Sequence, residues 1–225
     1  YFAKKRIESE ETKIYSGMVI VSFIDCLLMI SIIALSYIDS SQMAVLKVLN
    51  KLDYLQFLIW VWLFFCYVFH ITYKQEKRIH RHYNEVIKYT GFLNIIFGSF
   101  ILLLPVEIFI EDNVMYSYGS SANYLYIVCA FYLVLVAVTM LSHVKKIFTK
   151  KYIPFFAFIL MAIIVLVLRN INPGLVIITA VLAYINLIMY FTIENPDIKM
   201  VEEINIAKDH AERANAAKTE FLSSM

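Results

Sequence analysis

An aspartate, Asp25, stands near the middle of the apolar run V-S-F-I-D-C-L-L. If that run crosses a bilayer, an ionised carboxylate there costs about 2.5–3.5 kcal/mol, so the side chain has to face other helices and find a partner. Ser22, Asn94, Thr139, Thr179 and Asn186 are the polar residues available within apolar stretches, and the sequence does not choose among them. Asp25, Asn94 and Asn186 form a candidate intramembrane polar site. The plainer alternative is a protonated or hydrogen-bonded packing contact.

A second acidic group follows Pro105: Glu107, Glu111 and Asp112. Together they could bind a cation or a basic peptide at an outward vestibule, or simply mark the outer headgroup region. Other residue types with chemical potential lead nowhere. His80 and His82 are two apart in K-R-I-H-R-H-Y, on different faces of a helix and among cations, which suits a solvated basic loop beside phospholipid. Cys26, Cys66 and Cys129 lie in apolar runs without zinc or redox spacing, as inert buried thiols do. The sequence has no glycine-rich phosphate loop, no H-E-x-x-H and no Ser/His/Asp set. No catalytic, cofactor-binding or metal-binding residue is therefore assigned within the chain.

The elements that hold these residues follow from composition. The chain has 225 residues, 61% hydrophobic and only 17% charged, where a soluble domain averages about half apolar and a quarter charged. The apolar residues gather in runs of bilayer length, about 20 residues each. Six membrane helices are expected, at about 16–38, 54–73, 89–110, 123–143, 152–168 and 174–193. Helices are required because lipid offers the backbone no hydrogen-bond partner, and the runs are too continuous for barrel strands. The fold class is all-α: a polytopic helix bundle at 1–193 followed by a linker helix at 194–225. The stretch Ser40–Asp53, with Met43, Leu46, Leu49 and Leu52 at helical spacing, is either a surface lid or an extension of the next span.

Charge sets the orientation. Segments 1–15, 74–88, 144–151 and 194–225 carry 4, 5, 4 and 4 of the 20 lysines and arginines. The positive-inside rule makes their side cytoplasmic, in a multi-pass protein of the cell membrane. The opening Tyr1-Phe2-Ala3-Lys4-Lys5-Arg6 reads as the end of an apolar helix meeting its basic flank, which predicts an earlier span and seven in the full protein. A net charge of +2 gives no reason to expect a nucleic-acid partner; membrane lipid is the expected environment.

Beyond the last span, Glu194-Asn195-Pro196-Asp197 predicts a break, because proline lacks an amide proton and disfavours helix at the residue before it. Asn195 is placed to cap a new helix with Pro196 in its first position. Met200, Ile204, Ala207, Ala211, Ala214, Lys218, Phe221 and Met225 then recur at alternating spacings of four and three. That is a heptad seam with one polar interruption, suited to pairing with a second copy of the chain. Periodicity alone is equally consistent with a lone solvated helix.

The final residues, K-T-E-F-L-S-S-M from Lys218 to Met225, resemble the run-in to the phosphoacceptor helix of bacterial sensor histidine kinases, where S-H-E-I-R-T-P follows. The resemblance covers about 30 residues from Glu194, its specific part only the last eight. It implies that the chain is the membrane-embedded sensor region of such a kinase, with a run-in similar to those of hybrid kinases that carry their own receiver domain, and that it stops just short of the phosphoacceptor histidine. The whole protein would be a homodimer that moves the γ-phosphoryl of ATP, with Mg2+, to that histidine and then to an aspartate of a response regulator or receiver domain. Pro196, Met200, Ile204, Ala207, Ala211, Ala214, Phe221 and Met225 would form the signalling linker. His210 is not followed by E-x-R-T-P and is not that phosphoacceptor. The rival expectations are a transporter or channel subunit, and a non-catalytic membrane receptor.

Overall fold

The computed structural model describes residues 10–38, 42–73, 80–111, 114–142, 152–172, 177–193 and 196–223. In chain order the elements are α1 (Glu10–Ile38), α2 (Met43–Tyr73), α3 (His80–Leu103), β1 (Glu107–Glu111), β2 (Val114–Tyr118), α4 (Ser120–Leu141), α5 (Ile153–Ile171), α6 (Ile178–Ile193) and α7 (Pro196–Ser223). Four of them, α1 to α4, are long and apolar enough to cross a membrane; α5 and α6 contain shorter apolar stretches. The expected helix bundle is present, with one exception to its all-α character.

That exception lies in the third expected span, drawn at 89–110. Its helix ends at Leu103, and Pro105 leads into a two-stranded antiparallel hairpin in which Glu107 pairs with Tyr118 and Glu111 with Val114. The cause is local. Pro105 cannot donate the next helical hydrogen bond, and the flanking E-I-F-I-E and V-M-Y-S-Y are rich in the aromatic and branched residues that suit a pleated strand. Gly119 closes the hairpin onto α4 at φ 113°, a backbone setting that side chains resist. A Cβ there would also stand 3.1 Å from the Pro105 carbonyl oxygen. Ser121 fastens the junction, its amide donating to that same carbonyl at 3.2 Å and its hydroxyl to Ile101 O at 3.0 Å. The hairpin is thereby anchored to the ends of both flanking helices.

A second difference concerns 40–53, expected as a lid or as an extension of the next span. The second alternative is the observed one: α2 is helical from Met43 and runs for 31 residues. Its apolar stretch is 67% buried, against 22% for α1 and for α3. Every residue from Phe64 to His70 is buried. Trp60 stacks on Phe64 with centroids 5.5 Å apart, and Phe158 of α5 closes on Phe64 at 5.0 Å. The other helices gather around this axis: α1, α3 and α4 pack on α2, and α6 packs on α1 and α5. Close approach of α3 is possible because Gly98 faces Leu55, where an added Cβ would meet Leu55 Cδ2 at 3.1 Å.

The outward faces carry exposed Phe23, Ile30, Ile95, Leu103, Ile127, Val134, Leu160 and Leu166. Apolar side chains spread over several helices in this way match a hydrocarbon surround far better than water.

Candidate functional site

Four helices meet at one cavity, mostly apolar in its lining but holding two carboxyl groups. Asp25 and Met29 of α1, Asp53, Tyr54 and Phe57 of α2, Ala122, Leu125 and Tyr126 of α4, and Ile178 and Thr179 of α6 line a space of about 40 Å³. About 10–15 Å³ suffices for one water-sized occupant, so the cavity has room for a small ion with some hydration.

Asp25 reaches it because α1 turns the carboxylate inward, leaving the residue only 3% exposed, while its neighbours Phe23, Ile24 and Leu27 face outward. Its carboxyl lies within hydrogen-bonding reach of the Thr179 hydroxyl and the Asp53 carboxyl. Asp25 Oδ2 and Asp53 Oδ1 are buried and have no hydrogen-bond partner. A hydrogen bond between two carboxyl groups needs a proton on one of them. No lysine, arginine or histidine lines the cavity among the described residues, so no basic side chain offsets the acids.

One lining residue of the cavity is tied to the hairpin. Tyr54, next to Asp53, donates to Ser117 Oγ of β2 at 2.6 Å. Two residues further along α2, the Gln56 amide donates to the Val21 carbonyl of α1, holding the helices that carry the two aspartates in register. On the α3 side, Lys51 donates to the Leu102 carbonyl at 2.6 Å.

The sequence-derived residues are distributed unevenly around this geometry. Of the five polar candidates named beside Asp25, Thr179 reaches it. Asn186 instead donates its side-chain amide to Ser22 Oγ at 2.6 Å, and its backbone carbonyl accepts from Tyr15 at 3.0 Å. Asn94 accepts from the Tyr132 hydroxyl at 3.0 Å across α3 and α4, and Thr139 donates to Leu135 O of its own helix at 2.7 Å. Asp25, Asn94 and Asn186 thus sit at three separate contacts rather than in one site. The residue the sequence reading missed is Asp53. Its signal was present, since Leu46, Asn50 and Asp53 follow at spacings of four and three. The sequence does not single it out, because 40–53 reads equally as a lid or as a helix.

The second acidic group is different in kind. Glu107 is exposed on β1 and accepts a hydrogen bond from the exposed Tyr118 across the hairpin, an interaction that holds the Tyr118 phenol above its ordinary range. Glu111 ends β1, its side chain outside the described residues, as is all of Asp112. In the tail, Pro196 opens α7 as expected, and Ile204, Ala207, Ala211 and Ala214 lie on it exposed. The side chains of Met200 and Phe221 fall outside the described residues, as does Met225 altogether. No group of three or more metal-ligating side chains occurs among the described residues. No protein-family model, curated protein or solved structure matches this chain.

Proposed function

We propose that the chain is the membrane input region of a sensor histidine kinase, which passes a stimulus through a paired tail helix to control ATP-dependent phosphorylation of a histidine beyond Met225. On this reading six helices cross the bacterial cell membrane, and both ends of the chain are cytoplasmic. Residues 194–225 then begin the dimerisation and phosphoacceptor domain. ATP and Mg2+ act in the portion that follows, and the phosphoryl group passes to a response regulator or fused receiver aspartate.

The observation that carries the reading is α7. It is a 28-residue helix ending in K-T-E-F-L-S, with residues 204–220 all exposed. A single helix in water gains little from its own hydrogen bonds and is stabilised chiefly by burying a face. The seam through Ile204, Ala207, Ala211 and Ala214 provides that face for a second copy. Alanines bury little area, so the pairing is weak and able to shift between arrangements that differ by a few kcal/mol. Only two residues separate Ile193, the last of α6, from Pro196, the first of α7. A rearrangement of the bundle would therefore reach the seam directly.

The test is phosphorylation by the protein that carries the continuation of α7. Incubation with γ-labelled ATP is expected to place acid-labile, base-stable label on a histidine shortly after Met225. Replacing Ala207, Ala211 and Ala214 with leucine is expected to fix that activity at one level regardless of stimulus. Absence of histidine label overturns the kinase reading.

A transporter or channel is the second reading, favoured by the acid-lined cavity. It requires a polar path across the bundle. Asn94 and Asn186 are engaged in local pairs with Tyr132 and Ser22 and do not extend the cavity. Ion flux through liposomes containing the protein would favour this reading.

A further inference from the structure

We propose that Asp25, Asp53 and Thr179 form a binding site for one small monovalent cation of the Na+ class, which exchanges with a proton. The site lies at the junction of α1, α2, α4 and α6, beneath the hairpin, and it stands whether or not the chain belongs to a kinase.

The argument begins with charge. Two carboxyl groups within hydrogen-bonding reach and jointly lining one cavity cannot both remain ionised without a compensating positive charge. Among the described residues the other titratable groups lining it are Tyr54 of α2 and Tyr126 of α4, neither of which supplies a cation, and α6 contributes only Ile178 and Thr179. The Tyr54 hydroxyl already donates to Ser117. With one proton shared, the pair keeps one negative charge. A second proton or one monovalent cation neutralises it, and the two occupants therefore compete one for one.

Geometry adds what charge does not. Asp25 is 3% exposed, and its Oδ2, like Asp53 Oδ1, is buried without a partner. Unpaired buried carboxylate oxygens are costly and rare. Here they belong to residues that line a cavity of about 40 Å³, large enough for a dehydrated alkali ion and a water molecule. Carboxylate and hydroxyl oxygens are hard ligands, which select hard cations over Zn2+ or Cu2+. Ca2+ takes 6–8 oxygens and Mg2+ keeps several waters in a near-ideal octahedron, more than about 40 Å³ accommodates beside two carboxyl groups, and the single net negative charge of the pair suits one positive charge. A monovalent ion with partial hydration fits the set.

The site also joins three helices. An occupant held by Asp25, Asp53 and Thr179 would tie α1 and α2 to α6, and α6 leads to α7. That an occupied site sets the output of the tail rests on the kinase reading; binding of the cation does not.

The experiment uses the full 225-residue chain purified in mild detergent. Its thermal unfolding is followed as NaCl replaces choline chloride at constant ionic strength, at several pH values from 5 to 9. The melting temperature is expected to rise with Na+ at high pH and to lose that response at low pH. The apparent Na+ affinity should weaken about tenfold for each pH unit lowered where proton and cation compete one for one. D25N and D53N should each abolish the Na+ response. Retained 22Na+ on the unmodified protein, displaced by excess Na+ or Li+ and by acid, supports the site without any variant. No Na+ response and no retained 22Na+ overturn the proposal and leave a sealed carboxyl–carboxyl contact. A Na+ response that survives in both variants overturns it by placing the ion elsewhere, and displacement by Ca2+ alone overturns the monovalent assignment. Histidine labelling is measured separately, so failure of either claim is recognised without the other.

Discussion

Two acidic groups in this molecule have similar side chains and opposite surroundings. Asp25 and Asp53 meet inside the bundle beside a cavity, whereas Glu107 lies exposed on a hairpin with Tyr118 as its neighbour. Water and counter-ions moderate the charge of Glu107 at little free-energy cost. The inner pair, with Asp25 buried and Asp53 half-buried, depends mainly on what the neighbouring helices provide, so removing a partner leaves a polar group stranded. The lesson is that an acid's identity says little, and the dielectric around it decides whether it is a liability, a ligand or a solubilising group.

The comparison can be tested by substitution, beginning with the buried side. Asp25→Ala removes a hydrogen-bonding partner from Asp53 and leaves unfilled space; it is expected to destabilise the detergent-solubilised protein by about 3 kcal/mol. In a double-mutant cycle with Asp53→Ala the losses should be less than additive, because both variants break the same contact. Additive losses would show that the two carboxyls do not interact.

Gly119→Ala tests the seat of the hairpin. The φ of 113° and the Pro105 carbonyl 3.1 Å from an added Cβ predict a loss of about 2 kcal/mol, measured by denaturant unfolding. Since Tyr54 joins the hairpin to the cavity, the same variant should also weaken any Na+ response. Thr179→Val keeps the volume near Asp25 but removes the hydroxyl, for an expected loss of about 1 kcal/mol.

Glu107→Gln is expected to leave the unfolding midpoint unchanged within error, because both partners are exposed. Its effect should appear in the Tyr118 phenol. The Glu107 carboxylate favours the protonated phenol, so Tyr118 titrates above the usual tyrosine range. The contribution of this contact is complete at pH values below that range and disappears as pH rises through the raised value. Ultraviolet difference titration of the variant should return Tyr118 toward its ordinary position. An unchanged titration would mean that the contact is not formed in solution.

Much of the fold was legible because hydrophobic runs of bilayer length leave few alternatives to helices. The starts of α4 and α5 fall within a few residues of the expected spans, and α7 begins at the proline that broke the preceding helix. The hairpin was not legible in the same way. Ile108, Phe109 and Ile110 continue the hydropathy of a membrane span, so a composition window passes through them even though Pro105 cannot continue a helix. For the site, Asp25 was conspicuous by its position and Thr179 stood among five candidates. Asp53 was hidden because an acid near the end of an apolar run usually marks a boundary.

Sequence alone determined that the chain is helical, apolar over most of its length, and ends in a charged helix with a narrow, alanine-rich seam. Those properties are carried by local composition and by periods of a few residues. Only the tertiary structure decided that α2 is the axis, that Asn94 and Asn186 turn to Tyr132 and Ser22, and that Asp25 meets Asp53 across 28 residues of sequence. Pairing of that kind depends on the rotation and depth of one helix against another. Those are set by close packing of many side chains at once, and no single segment encodes them.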